Sequence, residues 1–365
     1  MQVPFLDLRR AGPELDTALT AAFERVLKSG RYIMGPEVDA FEAKCAAFIG
    51  VKHAIGVSSG TDALLAVLMA LEIGPGDEVI VPTYTFFATA GVVWRLGATP
   101  IFVDVDPRDF NVTAKNIAAA LTERTKAIVP VHLFGQCADI SAIEAVAGGI
   151  PVIEDAAQAI GSELRGTMAG ALGLAGCFSF FPAKNLGALG DAGLITTNDD
   201  ALAERIRRLR AHGSKPKYHH AIVGGNFRID ALQAALLNVK LDRLHEATER
   251  RRANARFYGE ALTPYAGLAP TESADRRHVY NQYVIQTGER DRVQAHLRDR
   301  GVATAVYYPR PLHQQPCFAS LEPGPLPVSE RLARETLALP IFPELTSAER
   351  SHVAQVLREA LGAPA

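Results

Sequence analysis

The chain has 365 residues, of which 48% are hydrophobic and 21% charged, with a formal net charge of -2. That is the balance of an ordinary globular protein, long enough for one large domain and a smaller one. The near-neutral charge excludes the basic footprint of a nucleic-acid binder and the polybasic patch of a membrane-surface protein. The N-terminal MQVPFLDLRR has no basic stretch followed by an apolar run, and later apolar stretches are short and broken by Gly, Pro or charge. No signal peptide and no membrane span are therefore expected, and the expected location is cytoplasmic. Cys45, Cys137, Cys177 and Cys317 are widely spaced with no CxxC pair, which reads as free thiols, with neither a metal site nor a disulfide framework.

Residues 13–28 and 37–48 carry apolar groups at helical spacing. From residue 53, short β-branched runs alternate with longer helical patterns. The runs are 54–57, 78–82, 99–105, 127–133, 151–155, 176–181 and 193–197; the helical stretches between them include 61–72, 114–121, 139–147 and 200–211. Strand and helix alternating in this way predict an α/β domain with a mostly parallel sheet buried on both faces. A long helical pattern from Ala231 to about Glu260 resembles a connector between domains. Beyond it, a run at 281–287, a helix at 290–300, a second run at 302–308 and a final helix near 347–361 predict a small C-terminal α/β domain. The division expected is 1–240 for the large domain with its N-terminal helical segment, and 241–365 for the connector and small domain. The stretch PGPLP (323–327) reads as a surface loop.

Three constellations carry chemistry. SSGTDAL (58–64) follows a strand and opens a helix, where free amides and the helix dipole favour an anion such as phosphate. Gly60 lets backbone approach the guest, and Thr61 adds a hydroxyl. VIEDAAQ (152–158) ends a strand on Asp155, at the edge where open α/β sheets bind ligands. A carboxylate there suits a protonated ring nitrogen. CFSFFPAKNLGALGDAG (177–193) places Lys184 in a Gly-rich turn among Phe181, Pro182 and Leu186, where desolvation lowers an amine's pKa and suits Schiff-base chemistry. Ser179 adds a further hydroxyl. Taken singly these read as a helix cap, a capping Asp and a surface Lys. Taken together they supply an anion cup, an acid for a ring nitrogen and an amine for an aldehyde, the requirements of pyridoxal 5'-phosphate (PLP) chemistry. One competing pattern, Gly56-Val57-Ser58-Ser59-Gly60, fits the G-x-S-x-G elbow of hydrolases with Ser58 as nucleophile.

The ordered set PFLDL (4–8), SGRYIMGPEVDAFE (29–42), SSGTDAL, GDEVIVPTYTFFAT (76–89), PVHLFGQ (130–136), VIEDAAQA, FSFFPAKNLGALGDAG and GNFRIDALQAA (225–235) resembles the DegT/StrS family of sugar-nucleotide aminotransferases over nearly the whole chain. The resemblance implies the aspartate-aminotransferase fold (fold type I) and a homodimer with active sites shared across the interface. It implies that Lys184 holds PLP as a Schiff base and that Asp155 pairs with the pyridine nitrogen. Phe86 stacks on the ring, and Gln158 lies by its phenolic oxygen. Gly60, Thr61 and Ser179 hold the phosphate, and Asn226 reaches it from the other subunit. Two departures stand out: Asp191-Ala192-Gly193 replaces a frequent Glu-Gly-Gly, and Gln158 replaces a frequent His.

The implied reaction moves an amino group from L-glutamate to a keto-sugar nucleotide, by way of the pyridoxamine 5'-phosphate form. The stretches HGSKPKYHH (212–220) and YYPRPLHQQ (307–315) resemble relatives acting on 3-keto sugars, which favours C-3 over C-4. Candidate substrate contacts are Arg31, Tyr32, Arg228, Tyr308 and His313. The alternatives are an esterase using Ser58 and a non-catalytic regulatory homologue of the same fold. A PLP-dependent sugar dehydratase is a third, against which Lys184 speaks because those relatives carry His at that position.

Overall fold

The computed structural model describes residues 1–216 and 218–363. Two N-terminal helices, α1 (Pro13–Ser29) and α2 (Pro36–Ile49), each begin with Pro in the first turn and end on a left-handed glycine, Gly30 and Gly50. The alternating region follows as β1 (His53–Val57), α3 (Gly60–Ala70), β2 (Glu78–Pro82), α4 (Ala88–Arg95), β3 (Thr99–Val103), α5 (Ala114–Ala120), β4 (Thr125–Ile128), α6 (Ile140–Ala147) and β5 (Ile153–Asp155). A ribbon of β6 (Glu163–Leu164) and β7 (Thr167–Met168) precedes β8 (Ala175–Ser179), β9 (Gly193–Thr197) and α7 (Asp200–Leu209).

The central sheet runs β3-β2-β4 and β1-β9-β8-β5. Parallel bridges Ile128–Val152 and Val131–Asp155 join the two parts. Every strand is parallel to its neighbours except β9, which is antiparallel to both β8 and β1. Strands such as EVIVP and GLITT are buried at every position, as a sheet covered by helices on both faces requires. The predicted α/β architecture with a mostly parallel sheet is therefore present. The solvent-poor helix α4 escaped the sequence reading because its ATAGVVWR mixes β-branched residues with a glycine.

The long pattern from Ala231 is two helices, α8 (Ala231–Leu241) and α9 (Leu244–Leu262), broken at Asp242–Arg243. The break has a packing reason: α8 lies on α1 and α2, whereas α9 lies on the C-terminal helix. The proposed domain division at 240/241 falls in the last turn of α8. Beyond β10 (Arg276–Arg277), which completes the small ribbon, come β11 (Tyr283–Gln286), α10 (Arg290–Asp299), α11 (Pro327–Glu335), β12 (Thr336–Leu339) and α12 (Ser347–Leu361). The partner of β11 is β12, antiparallel to it, and not the expected run at 302–308. That run forms only isolated bridges, Val302 with Val3 and Ala305 with Ala338. β12 was hidden because it follows α11 with no intervening turn residue. Pro327, the last residue of PGPLP, opens α11 where its missing N–H costs nothing. Tyr258, Tyr283, Ile285, Leu297, Leu337, Val353 and Leu357 form the C-terminal core, and Val3 reaches across to join it. Among the described residues no helix is long and apolar enough to cross a membrane.

Candidate active site

The site forms where β5 and β8 end and α3 begins. The N-cap of α3 is Ser59, whose Oγ accepts from the Asp62 amide at 3.0 Å. The first amides of the helix have no intrahelical acceptor and face an anion's natural position. Gly60 is required here: a Cβ at that position would lie 2.7 Å from the Cβ of Ser179. The missing side chain lets the start of α3 close on the end of β8, so that Gly60, Thr61 and Ser179 share one corner.

Asp155 ends β5 and is buried. Its Oδ2 accepts from the Thr89 hydroxyl at 2.8 Å and its Oδ1 from the Ala157 amide at 3.2 Å. Burial raises the carboxyl pKa above the usual range; the Thr89 bond, the Ala157 amide and the nearby Lys184 oppose that rise. The strand end is clamped from beneath. Glu154, fully buried, accepts from His132 at 2.7 Å and from the amides of Gly170, Leu172 and Gly173. The His132 Nδ1 accepts from the Ala138 amide at 3.0 Å, which assigns the ring proton to Nε2 and makes the imidazole a neutral donor to Glu154.

Lys184 sits in the turn after β8, its amide donating to the Phe181 carbonyl at 2.8 Å. Its ammonium has no hydrogen-bond or ion-pair partner among the described residues. Burial lowers its pKa to about 8, and the charge of Asp155 limits that fall. A half-buried amine with no partner is an unusual arrangement for Lys, which elsewhere keeps its charge in water. Phe86 is 59% exposed, with its ring 6.4 Å from that of Tyr308. Gln158 accepts from the Phe134 amide at 2.7 Å and donates to the Tyr308 hydroxyl at 3.3 Å. Ala192, the departure in the lysine loop, is absent from the residues with positive φ and its carbonyl accepts from Phe180 at 2.8 Å, so the loop keeps ordinary backbone there.

The remaining candidates lie elsewhere in the chain. Asn226 and Arg228 line a cavity of about 410 Å³ with Ser58, Asp191 and Gln233, and Arg228 bridges Val57 at the end of β1, next to the start of α3. Arg31 and Tyr32 are exposed, and the Tyr32 hydroxyl donates to the Leu27 carbonyl. His313 is buried between the Thr83 hydroxyl, 2.7 Å from Nδ1, and Glu330, 3.2 Å from Nε2. Position 217 in the stretch 212–220 lies outside the described residues. Ser58 donates to Asp62 at 2.6 Å, and no His contacts it among the described residues. The esterase reading is thereby corrected, since a serine nucleophile needs a base that a carboxylate four residues along does not provide. Sequence reasoning missed Thr89 and the His132–Glu154 pair. Each stood inside a quoted motif (TFFAT, PVHLFGQ and VIED), but nothing in the spacing said which carboxylate each would meet.

A sequence model described as the DegT/DnrJ/EryC1/StrS aminotransferase family matches residues 13–358. A pleiotropic regulatory protein of Geobacillus stearothermophilus is 49% identical, over 98% of each chain. The UDP-N-acetyl-3-dehydro-alpha-D-glucosamine 3-aminotransferase of Acidithiobacillus ferrooxidans is 46% identical, also over 98% of each. Among solved structures, S. venezuelae DesV in complex with a ketimine intermediate superposes with a TM-score of 0.95 at 43% identity, covering 98% of both chains.

Proposed function

This chain belongs to the DegT/DnrJ/EryC1/StrS aminotransferase family, and we propose that it moves an amino group from L-glutamate to C-3 of a nucleotide-linked keto-sugar, using PLP. The observation that carries the reading is the partnerless amine of Lys184 beside buried Asp155, at the mouth of the α3 anion corner. The residues present fit the cofactor. The Gly60–Ser179 approach leaves a cradle that a Cβ would fill, and the exposed face of Phe86 offers a flat apolar surface to a ring.

In this reading Gly60, Thr61 and Ser179 hold the phosphate, with Asn226 of the partner subunit completing the cup. Asp155 accepts the ring N–H, and Thr89 and the Ala157 amide fix the orientation of its carboxylate. Gln158 and Tyr308 sit at the phenolic edge. When bound, PLP supplies the electron sink that makes a carbon beside an amine acidic. Lys184, with a pKa near 8 and thus partly neutral near pH 7, removes that proton and returns one to the sugar carbon. Clamped by Glu154 and His132, the end of β5 need not reorganise as charge moves. The C-3 preference rests on the stretches 212–220 and 307–315 and on the 3-aminotransferase named above. A homodimer and a cytoplasmic location belong to the same reading. The regulatory homologue has the name of the Geobacillus relative on its side, and the partnerless amine of Lys184 beside Asp155 weighs against it.

The test is a panel of 3-keto and 4-keto sugar nucleotides incubated with isotope-labelled L-glutamate, with the products read by mass spectrometry. Label in 3-amino products is the expected outcome. Label only in 4-amino products would move the site of amination, and no transfer with any sugar would overturn the function.

A further inference from the structure

A second opening leads to the same lysine. A cleft of about 620 Å³ lies between the N-terminal segment, the lysine loop and the α8–α9 junction. Of the residues assigned to the cofactor, Lys184 alone lines it. Five basic and five acidic side chains form its wall, and half of them pair with one another or the backbone, while Asp7 is held by Arg9 outside the wall. Arg250 pairs with Glu246 at 2.5 Å, and Lys240 donates to the Gly187 carbonyl. Arg251 does not. It is 5% exposed, its Nε has no partner, and Nη1 reaches only the Tyr280 carbonyl at the long distance of 3.5 Å. Burial lowers its pKa to about 10, with Glu344 the charge that supports it. Glu344, which also lines the cleft, makes no hydrogen bond or ion pair among the described residues.

A guanidinium so buried and so poorly paired is costly unless something binds it. Its planar fork matches a carboxylate. The balanced wall disfavours a nucleoside diphosphate, whose several negative charges would meet the five acids. It suits a zwitterion, carboxylate toward Arg251 and ammonium toward Glu344. We propose that this cleft binds the amino donor, an α-amino acid, with Arg251 as its carboxylate anchor and Glu344 as the ammonium partner, beside Lys184. The identity of the donor rests on the aminotransferase reading above; the existence of the site does not.

The experiment measures binding to the holoenzyme by calorimetry with three probes: glutarate, which has carboxylates but no reactive amine, L-glutamate, and inorganic phosphate. Glutarate is expected to bind, to lose at least about tenfold in affinity in Arg251→Gln, and to recover part of it in Arg251→Lys. Glu344→Gln is expected to leave glutarate unchanged and to weaken L-glutamate. In stopped-flow, Arg251→Gln is expected to raise the glutamate concentration for half-maximal reaction while leaving the limiting rate near wild type. Equal glutarate affinity in wild type and Arg251→Gln would overturn the site. Stronger binding of phosphate than of glutarate would overturn the carboxylate assignment. If Arg251→Gln does not fold, unchanged glutamate affinity in Glu344→Gln overturns the proposal by itself. Failure of the aminotransferase reading looks different: glutarate binds through Arg251, but glutamate transfers no amino group.

Discussion

The residues assigned to the cofactor and those assigned to the sugar are organised in opposite ways. Asp155 and Ser179 end strands of one sheet, Gly60 and Thr89 lie in the first turns of α3 and α4, and Lys184 sits in the turn after β8, so one chain brings them together. Arg31, Tyr32, Asn226 and Arg228 lie on exposed or half-buried loop segments. The difference teaches where rigidity is spent. In the proposed reading, the groups that fix the orientation of the reacting centre, Asp155, Thr89, Gly60 and Ser179, come from strand ends and helix starts; Lys184 is held in the short turn beside them, and the candidate sugar contacts come from loops. In the homodimer we propose, loops of one subunit would complete the site of the other.

The comparison breaks most sharply at Lys184. Lys184→Ala is expected to lower the transamination rate by at least about a thousandfold, the range for losing a positioned acid–base group; a loss under tenfold, read by single-turnover kinetics, would remove Lys184 from the chemistry. Asp155→Asn comes next, with a loss of about a hundredfold or more from removing a buried charge that steadies the reacting centre. Thr89→Val tests the scaffold behind it. Loss of one hydrogen bond to a charged group, about 1.5–3 kcal/mol, predicts a fall in rate of roughly ten- to a hundredfold with little change in KM. Arg228→Ala should show the loop signature instead, a raised KM for the sugar nucleotide with kcat within about twofold. Equal kcat effects at Thr89 and Arg228 would erase the distinction between the two regions.

A pH experiment on cofactor-free protein sharpens the same contrast. The folded-state pKa of Lys184 lies near 8, below its ordinary 10.5. The unfolded chain then binds more protons between these values, so stability rises with pH across that window. Lys184→Met lacks this dependence. Its stability advantage over wild type is expected to be largest below pH 8 and to shrink as pH rises toward 10.5, as read by denaturant titration. A constant difference would mean that the amine is not desolvated.

How much of this the sequence disclosed follows the same line. Asp155 and Gly60 stood out as candidates because they sit at a strand end and a helix start, and Lys184 because it sits in a Gly-rich turn between two apolar strands. The strand EVIVP was legible to the residue. What stayed hidden depended on contacts between distant segments. Thr89 meets Asp155 across 66 positions. β12 pairs with β11 across a long excursion, and its Thr-Leu-Ala-Leu reads as the tail of a helix. Periodicity reports which face is buried, not what lies against it, so the break between α8 and α9 also went unseen.

The most direct measurement is the absorbance spectrum of the PLP-loaded protein before and after L-glutamate, beside Lys184→Ala. The account predicts a visible band from cofactor bound through Lys184 that bleaches with glutamate, and a mutant in which that band is missing or unresponsive. A wild-type protein that stays colourless with added PLP, or a mutant that responds like wild type, would contradict it.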